Sequence, residues 1–158
     1  MRELLNYCLI LSITAMASRD HLMEEAQLLS EMLVRISEQS KTDFTRIAEE
    51  LGLPVHLARA VVRLSNPEPM RDLAEQLECD RSYITSIADQ LEERGLVERV
   101  PGRDRRVKLL QLTADGKRLR RKISDEVASR ALVLRRLDAE QRAALRPLLE
   151  ALLIEDGA

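Results

Sequence analysis

The chain has 158 residues, 45% hydrophobic and 33% charged, a balance that argues against disorder and is long enough for about one domain with a sizeable core. Aromatics are 2% (Tyr7, Phe44 and Tyr83, with no Trp), which excludes a pocket built on stacked rings, and five Gly with five Pro are too few for a turn-rich all-β protein. The formal net charge of −2 hides an uneven distribution: from Asp20 to Glu50 eight acids face three bases, whereas from Arg99 to Lys122 ten bases face two acids. One strongly basic segment in a near-neutral chain points to a local anionic partner.

Leu4 to Ala17 is mostly apolar but too short to span a membrane. Arg2, the apolar stretch and Ala15-Met16-Ala17 have the layout of a signal peptide with an A-x-A site, against which stand Glu3 and Asn6. Two plainer readings of residues 1–19 are an extra helix packed on the body and a start codon assigned too early, with Met16 and Met23 as alternative starts. Leu22, Ala26, Leu29, Leu33 and Ile36 recur at steps of three and four and predict a helix over 22–37. Ser40-Lys41-Thr42-Asp43 interrupts the period; Phe44, Ile47, Ala48 and Leu51 resume it and Gly52 ends it, which fits one kinked helix or two. Pro54 starts the next helix, with Leu57, Val61 and Leu64 on one face and Ser65-Asn66-Pro67 as its end. Glu68-Pro69 opens another, with Met70, Leu73, Ala74 and Leu77 as its buried face and a stop near Glu78-Cys79.

Asp80 is placed to cap the following helix, whose buried stripe is Ile84, Ile87, Ala88 and Leu91 and whose stop is Gly95. Leu96 to Val100 and Val107 to Leu112 read as two strands of a small hairpin, with Pro101-Gly102 at the middle of a type II turn. Thr113 caps a long helix with a buried face of Leu119, Ile123, Val127, Ala131 and Leu134. Asp138 and Gln141 form a capping box, and Leu145, Leu148, Leu149, Leu152 and Leu153 give the last helix a broad apolar face. Pro147 inside that helix predicts a kink or a restart. The terminal helices carry more apolar surface than one small helix–turn–helix covers, so a second subunit in a two-fold dimer is the expected cover.

Pro69 to Ile87 reads as two short amphipathic helices meeting at a tight turn, with Ala74 small at the crossing and Leu73, Leu77, Ile84 and Ile87 locking the pair. In a helix–turn–helix the second helix enters the major groove by its N-terminal residues. At about 100° per residue, the side opposite the core stripe holds Ser82, Ser86 and Asp89, flanked by Tyr83, Thr85 and Gln90. Hydroxyl and amide side chains suit base edges or phosphates, and the N–H groups at Arg81 to Tyr83 favour a phosphate. Asp89 and Glu93 lie where the helix would leave the groove. The hairpin tip is Arg103-Asp104-Arg105-Arg106, flanked by Arg99 and Lys108. Arginines on a narrow ribbon suit the minor groove, and Asp104 is placed to hold one of them by a bidentate pair. Alone, each feature reads equally as a solvated surface; together and in this order they are more specific.

Leu91-Glu92-Glu93-Arg94-Gly95-Leu96-Val97, then Asp104-Arg105-Arg106, then Leu112-Thr113-Ala114-Asp115-Gly116 resemble, in order and spacing, the MarR family of winged helix–turn–helix regulators. The resemblance runs from Glu24 to Ile154 and is strongest from Pro69 to Leu119. It implies a mainly α fold with a small β-hairpin wing: 53–113 as the winged DNA-binding region, 20–52 and 114–158 as dimerisation helices, and 1–19 as an apolar extension without a clear counterpart. It implies a homodimer whose recognition helices enter successive major grooves of a pseudo-palindromic double-stranded DNA, released by a small-molecule effector or an oxidant. By it, Arg106 is the wing arginine, Asp104 its partner, and Ser82, Tyr83, Thr85 and Ser86 the reading positions. Many relatives carry a basic residue where Ser86 stands, which leaves phosphate attraction here to Arg81 and the wing.

The expected protein is thus a cytoplasmic, dimeric transcription regulator, a repressor, with no membrane association. The rival is a winged-helix protein-interaction module that does not bind DNA, kept open by the uncharged reading helix and the acidic N-terminal third. Nothing places Ser, His and Asp as a triad and no Gly-rich phosphate loop is present, so no enzyme is expected. Two cysteines make neither a disulfide scaffold nor a zinc site, and no metal or cofactor is expected. Cys79, just before the reading helix, and Cys8 are candidate redox sensors, against the reading of ordinary buried thiols. His21 and His56 are candidates to line a ligand cleft.

Overall fold

The helical period on both sides of Ser40–Asp43 is realised as one helix. A computed structural model describes residues 2–102 and 108–154, with side chains from residue 20 onward, and in it α1 runs Arg2–Glu50 without a break. The chain divides into two compact units, Met1–Lys41 and Thr42–Ala158. In the first, the hydroxyls of Ser30 and Ser40 donate to the carbonyls of Ala26 (2.8 Å) and Ile36 (2.9 Å), and Lys41 pairs with Glu38 at 2.9 Å. The polar stretch does not end the helix because these groups find partners within it. The apolar positions Leu22, Met23, Leu29, Met32, Leu33 and Ile36 are exposed, from 45% at Leu33 to 65% at Met23.

The second unit starts with the last turns of α1 and continues through α2 (Val55–Arg63), β1 (Glu68–Pro69), α3 (Met70–Gln76), α4 (Arg81–Glu93), β2 (Val97–Pro101), β3 (Lys108–Leu112), α5 (Ala114–Arg130), α6 (Leu132–Arg136) and α7 (Ala139–Leu152). Ile47 of α1, Leu57 and Val61 of α2, Leu73 of α3, Ile84, Ile87 and Leu91 of α4, Leu110 of β3 and Ile123 of α5 are fully buried in one core. Each such side chain stabilises the fold by roughly 1.5–3 kcal/mol.

The sheet is antiparallel in the order β1-β3-β2. It has one strand more than the expected hairpin: Glu68 and Pro69 pair with Leu110 and Leu109 before α3 begins. Two residues are too few to show a strand's alternation, and Pro69, lacking an N–H, is tolerated because β1 is an edge. Pro101 is still paired with Lys108, so the strands do not turn at Pro101-Gly102 as expected. The tip residues Arg103, Asp104, Arg105 and Arg106 lie outside the described residues.

Two corrections fall in the C-terminal region. The long helix expected after Thr113, with a buried face reaching Leu134, ends at Arg130, and Ala131 (φ −57°, ψ 125°) separates it from α6. The buried stripe stops at Ile123; Val127 and Leu134 are exposed, so no core holds the helix straight. Arg130 instead meets Glu50 through both Nη atoms, at 3.0 and 2.6 Å, and Glu126 at 2.9 Å. That pairing holds the Glu50 carboxyl below its ordinary range, chiefly through the hydrogen bond from Arg130. The Asp138–Gln141 capping box is present, but α7 does not restart at Pro147. One missing donor in an exposed stretch is compatible with the helix continuing. Leu148, Leu149, Leu152 and Leu153 are exposed.

The base of the hairpin is tied to the helices on both sides of it. Gly95, at φ +67°, ends α4, with its N–H bonded to Glu92 O and that of Leu96 to Leu91 O, both 2.9 Å. The Thr113 hydroxyl donates to Gly95 O at 2.7 Å and accepts from Gly116 N at 3.1 Å, while Thr113 N donates to Leu96 O at 3.1 Å. A Cβ on Gly116 would lie 2.0 Å from Leu96 O. The Arg94-Gly95-Leu96-Val97 and Leu112-Thr113-Ala114-Asp115-Gly116 motifs are therefore two halves of one contact.

Gly116→Ala should lower stability by about 1–3 kcal/mol, because backbone has to move to admit the methyl group. A urea unfolding midpoint equal to that of the wild type would contradict this packing.

Candidate nucleic-acid interface

α3 and α4 are joined by a turn in which Glu78 takes φ +52°, a left-handed conformation that costs a non-glycine residue roughly 1 kcal/mol. The turn is held by Cys79 N to Ala74 O (3.0 Å) and Glu78 N to Glu75 O (3.1 Å). Asp80 follows in an extended conformation and caps α4, its Oδ1 accepting from Tyr83 N at 2.8 Å and from the Ser82 hydroxyl at 2.6 Å. These bonds, that from Ser82 foremost, hold the Asp80 carboxyl below the usual aspartate range. With Ile84, Ile87, Ala88 and Leu91 buried, the rest of α4 is turned outward.

On that outer face Arg81, Ser82, Tyr83, Thr85 and Ser86 are exposed, and Gln90 is partly so. An open groove of about 670 Å³ runs along it past Ser82, Thr85, Ser86, Asp89 and Gln90 to Glu92 and Glu93. The Thr85 hydroxyl donates to Arg81 O at 2.9 Å and Gln90 Nε2 to Ser86 Oγ at 3.3 Å, which leaves each hydroxyl with hydrogen-bonding capacity to spare. The Tyr83 N–H, expected to be open to an anion, is taken by Asp80.

Arg99 flanks the basic tip in sequence. Its side chain turns onto α4, donating through Nη2 to Asp89 Oδ1 at 2.5 Å and through Nη1 to Glu92 Oε2. The spacing of Asp89 and Glu92, three apart on one helix face, was the signal in the sequence; that Arg99 reaches them needed the register of β2.

His56 of α2 stands against the Tyr83 ring, with centroids 6.0 Å apart and planes at 42°. His21 is exposed in the first unit. Cys79 is a half-buried free thiol, pushed up from its ordinary pKa by burial and then by the charge of Asp80, which keeps it protonated at neutral pH. The side chain of Cys8 lies outside the described residues. Among the described residues no three His, Cys, Asp or Glu converge as a metal would require, and no helix is long and apolar enough to cross a membrane.

The MarR family model matches residues 59–108. The chain is similar to the solved structure of NadR in complex with 4-hydroxyphenylacetate, at 31% identity over 76% of this chain and 88% of that one, with a TM-score of 0.62. A probable transcriptional regulator from Pseudomonas aeruginosa is 25% identical over 77% and 94% of the two chains, with a TM-score of 0.57. A mutant MarR from E. coli complexed with operator DNA is 21% identical over 80% and 94%, with a TM-score of 0.62, a likeness of fold alone. No curated protein matches the chain.

The Asp80 cap gives a pH test with a definite sign. Because folding lowers this carboxyl's pKa, its contribution is present above the ordinary aspartate value and lost as pH falls through the lower folded value. Asp80→Asn should keep most of the neutral-pH melting temperature, since Asn caps as well as Asp, and should flatten the fall in acid. Asp80→Ala should melt lower throughout. Identical acid limbs for wild type and Asp80→Asn would remove Asp80 from the list of groups that set acid stability.

Proposed function

The chain belongs to the MarR family, and on that premise we propose that it is a dimeric, sequence-specific DNA-binding transcription regulator, a cytoplasmic repressor released by a small ligand or an oxidant. The observation that carries the reading is the outer face of α4: a capped helix locked by its apolar stripe against α3, presenting Arg81, Ser82, Tyr83, Thr85, Ser86 and Gln90 outward beside a two-stranded ribbon. Side chains of that kind on the second helix of a helix–turn–helix suit a major groove. The wing residues Arg103, Asp104, Arg105 and Arg106 would lie along the neighbouring minor groove. NadR was solved with 4-hydroxyphenylacetate and the mutant E. coli MarR with operator DNA, which supports an effector and a duplex as the partner classes here.

The homodimer is supported by exposed apolar side chains at both ends of the chain, among them Met23, Met32 and Leu33 on α1 and Leu148 and Leu152 on α7. A two-fold partner would take them from water. Residues 20–52 and 114–158 serve as dimerisation helices in this reading and 53–113 as the DNA-binding region.

A second reading, a winged-helix dimer that binds protein and not DNA, is favoured by one observation: Asp89, Glu92 and Glu93 line the far end of the groove on α4.

Titrating the duplex immediately upstream of the coding sequence, and a scrambled duplex, at two salt concentrations separates these readings. Tighter binding to the upstream duplex, weakening steeply with salt as arginines release counterions, is the expected result. Arg106→Ala should cost about 1–3 kcal/mol of that binding. Absence of binding to either duplex by ligand-free protein would favour the protein-binding reading.

A further inference from the structure

We propose that Arg99 is a positioning residue of the reading head: it neutralises Asp89 and Glu92 on the outer face of α4 and holds β2 against that helix, so that an acid-lined face can approach a phosphate backbone. The proposal rests on the DNA reading above.

Between Arg81 and Arg94 the helix carries three acids, Asp89, Glu92 and Glu93, and no base. All three line the groove that begins at Ser82. Carboxylates so placed repel a phosphate backbone, and repulsion at short range is strong at a partly desolvated interface. Arg99 answers two of them at once, through separate nitrogens of one planar group: Nη2 to Asp89 and Nη1 to Glu92. The guanidinium fork suits this task, whereas the point charge of a lysine does not hold two carboxylates in a fixed geometry.

The clamp is anchored in the sheet. The Arg99 side chain is 22% exposed, against 61% for Asp89 and 42% for Glu92. Its backbone pairs with Leu110, a fully buried residue of the central strand β3. The strand that leads into the wing is thereby tied to the far half of the reading helix, so the two DNA-facing elements share one ion cluster. Arg99 acts on DNA through Asp89 and Glu92 and does not itself touch it.

A double-mutant cycle on the upstream duplex tests this, using the full chain as wild type, Arg99→Ala, the pair Asp89→Asn with Glu92→Gln, and all three together. Arg99→Ala should weaken binding at least about tenfold when the acids are present. In the neutral background the same change should alter affinity by less than about threefold, since no charge is left to neutralise. A loss of equal size in both backgrounds would overturn the proposal and make Arg99 a direct DNA contact; wild-type affinity in Arg99→Ala would overturn it too, by showing that Arg99 has no part in binding. If Arg99→Ala melts below the assay temperature, Arg99→Lys replaces it, with a smaller loss expected and the same dependence on background. If neither wild type nor the neutral pair binds any duplex, the DNA reading fails and the clamp fails with it.

Discussion

The Thr113 hydroxyl, set between the Gly95 carbonyl and the Gly116 N–H, is the contact on which the reading head depends. It lies where α4 ends, the hairpin begins and returns, and α5 starts. Gly95 lets the chain reverse out of α4 in a left-handed conformation, and Gly116 lets the first turn of α5 pass over the Leu96 carbonyl. Neither position tolerates a side chain without strain, for different reasons. Two motifs far apart in sequence thus serve one geometric purpose: they set the direction of the hairpin relative to the helix beside it.

Charge on this framework is divided by place. The N-terminal half of α4 presents hydroxyls, a tyrosine and Arg81, while the C-terminal half presents acids that Arg99 partly cancels. Positive charge is concentrated in the stretch from Arg99 to Lys122. A partner attracted by that stretch and read by uncharged groups on α4 has the features of a nucleic-acid duplex: a strong uniform negative charge and a specific pattern of donors and acceptors.

What was legible in the sequence was mostly local. The Asp80 cap, the Gly95 stop, the Asp138–Gln141 box and the buried stripe of α4 depend on residues within a few positions of one another, and each is found as expected. What was not legible depends on contacts between distant segments. β1 exists only because β3 passes beside Glu68 and Pro69. α5 breaks at Ala131 although neither Gly nor Pro stands there, because the core ends at Ile123 and Arg130 is drawn to Glu50. The contacts of His56 with Tyr83 and of Arg99 with Asp89 and Glu92 likewise needed the packing of separate elements. Pro147 shows the reverse case, a strong local rule that one exposed helix tolerates.

The most direct measurement is selection from a randomised pool of duplex DNA by the full chain, followed by sequencing of what it retains. A two-fold reader with α4 in the major groove should enrich a pseudo-palindrome whose half-sites lie about one helical turn, roughly 10 base pairs, apart. Retention without any enriched sequence, or no retention at all, would contradict a sequence-specific reader.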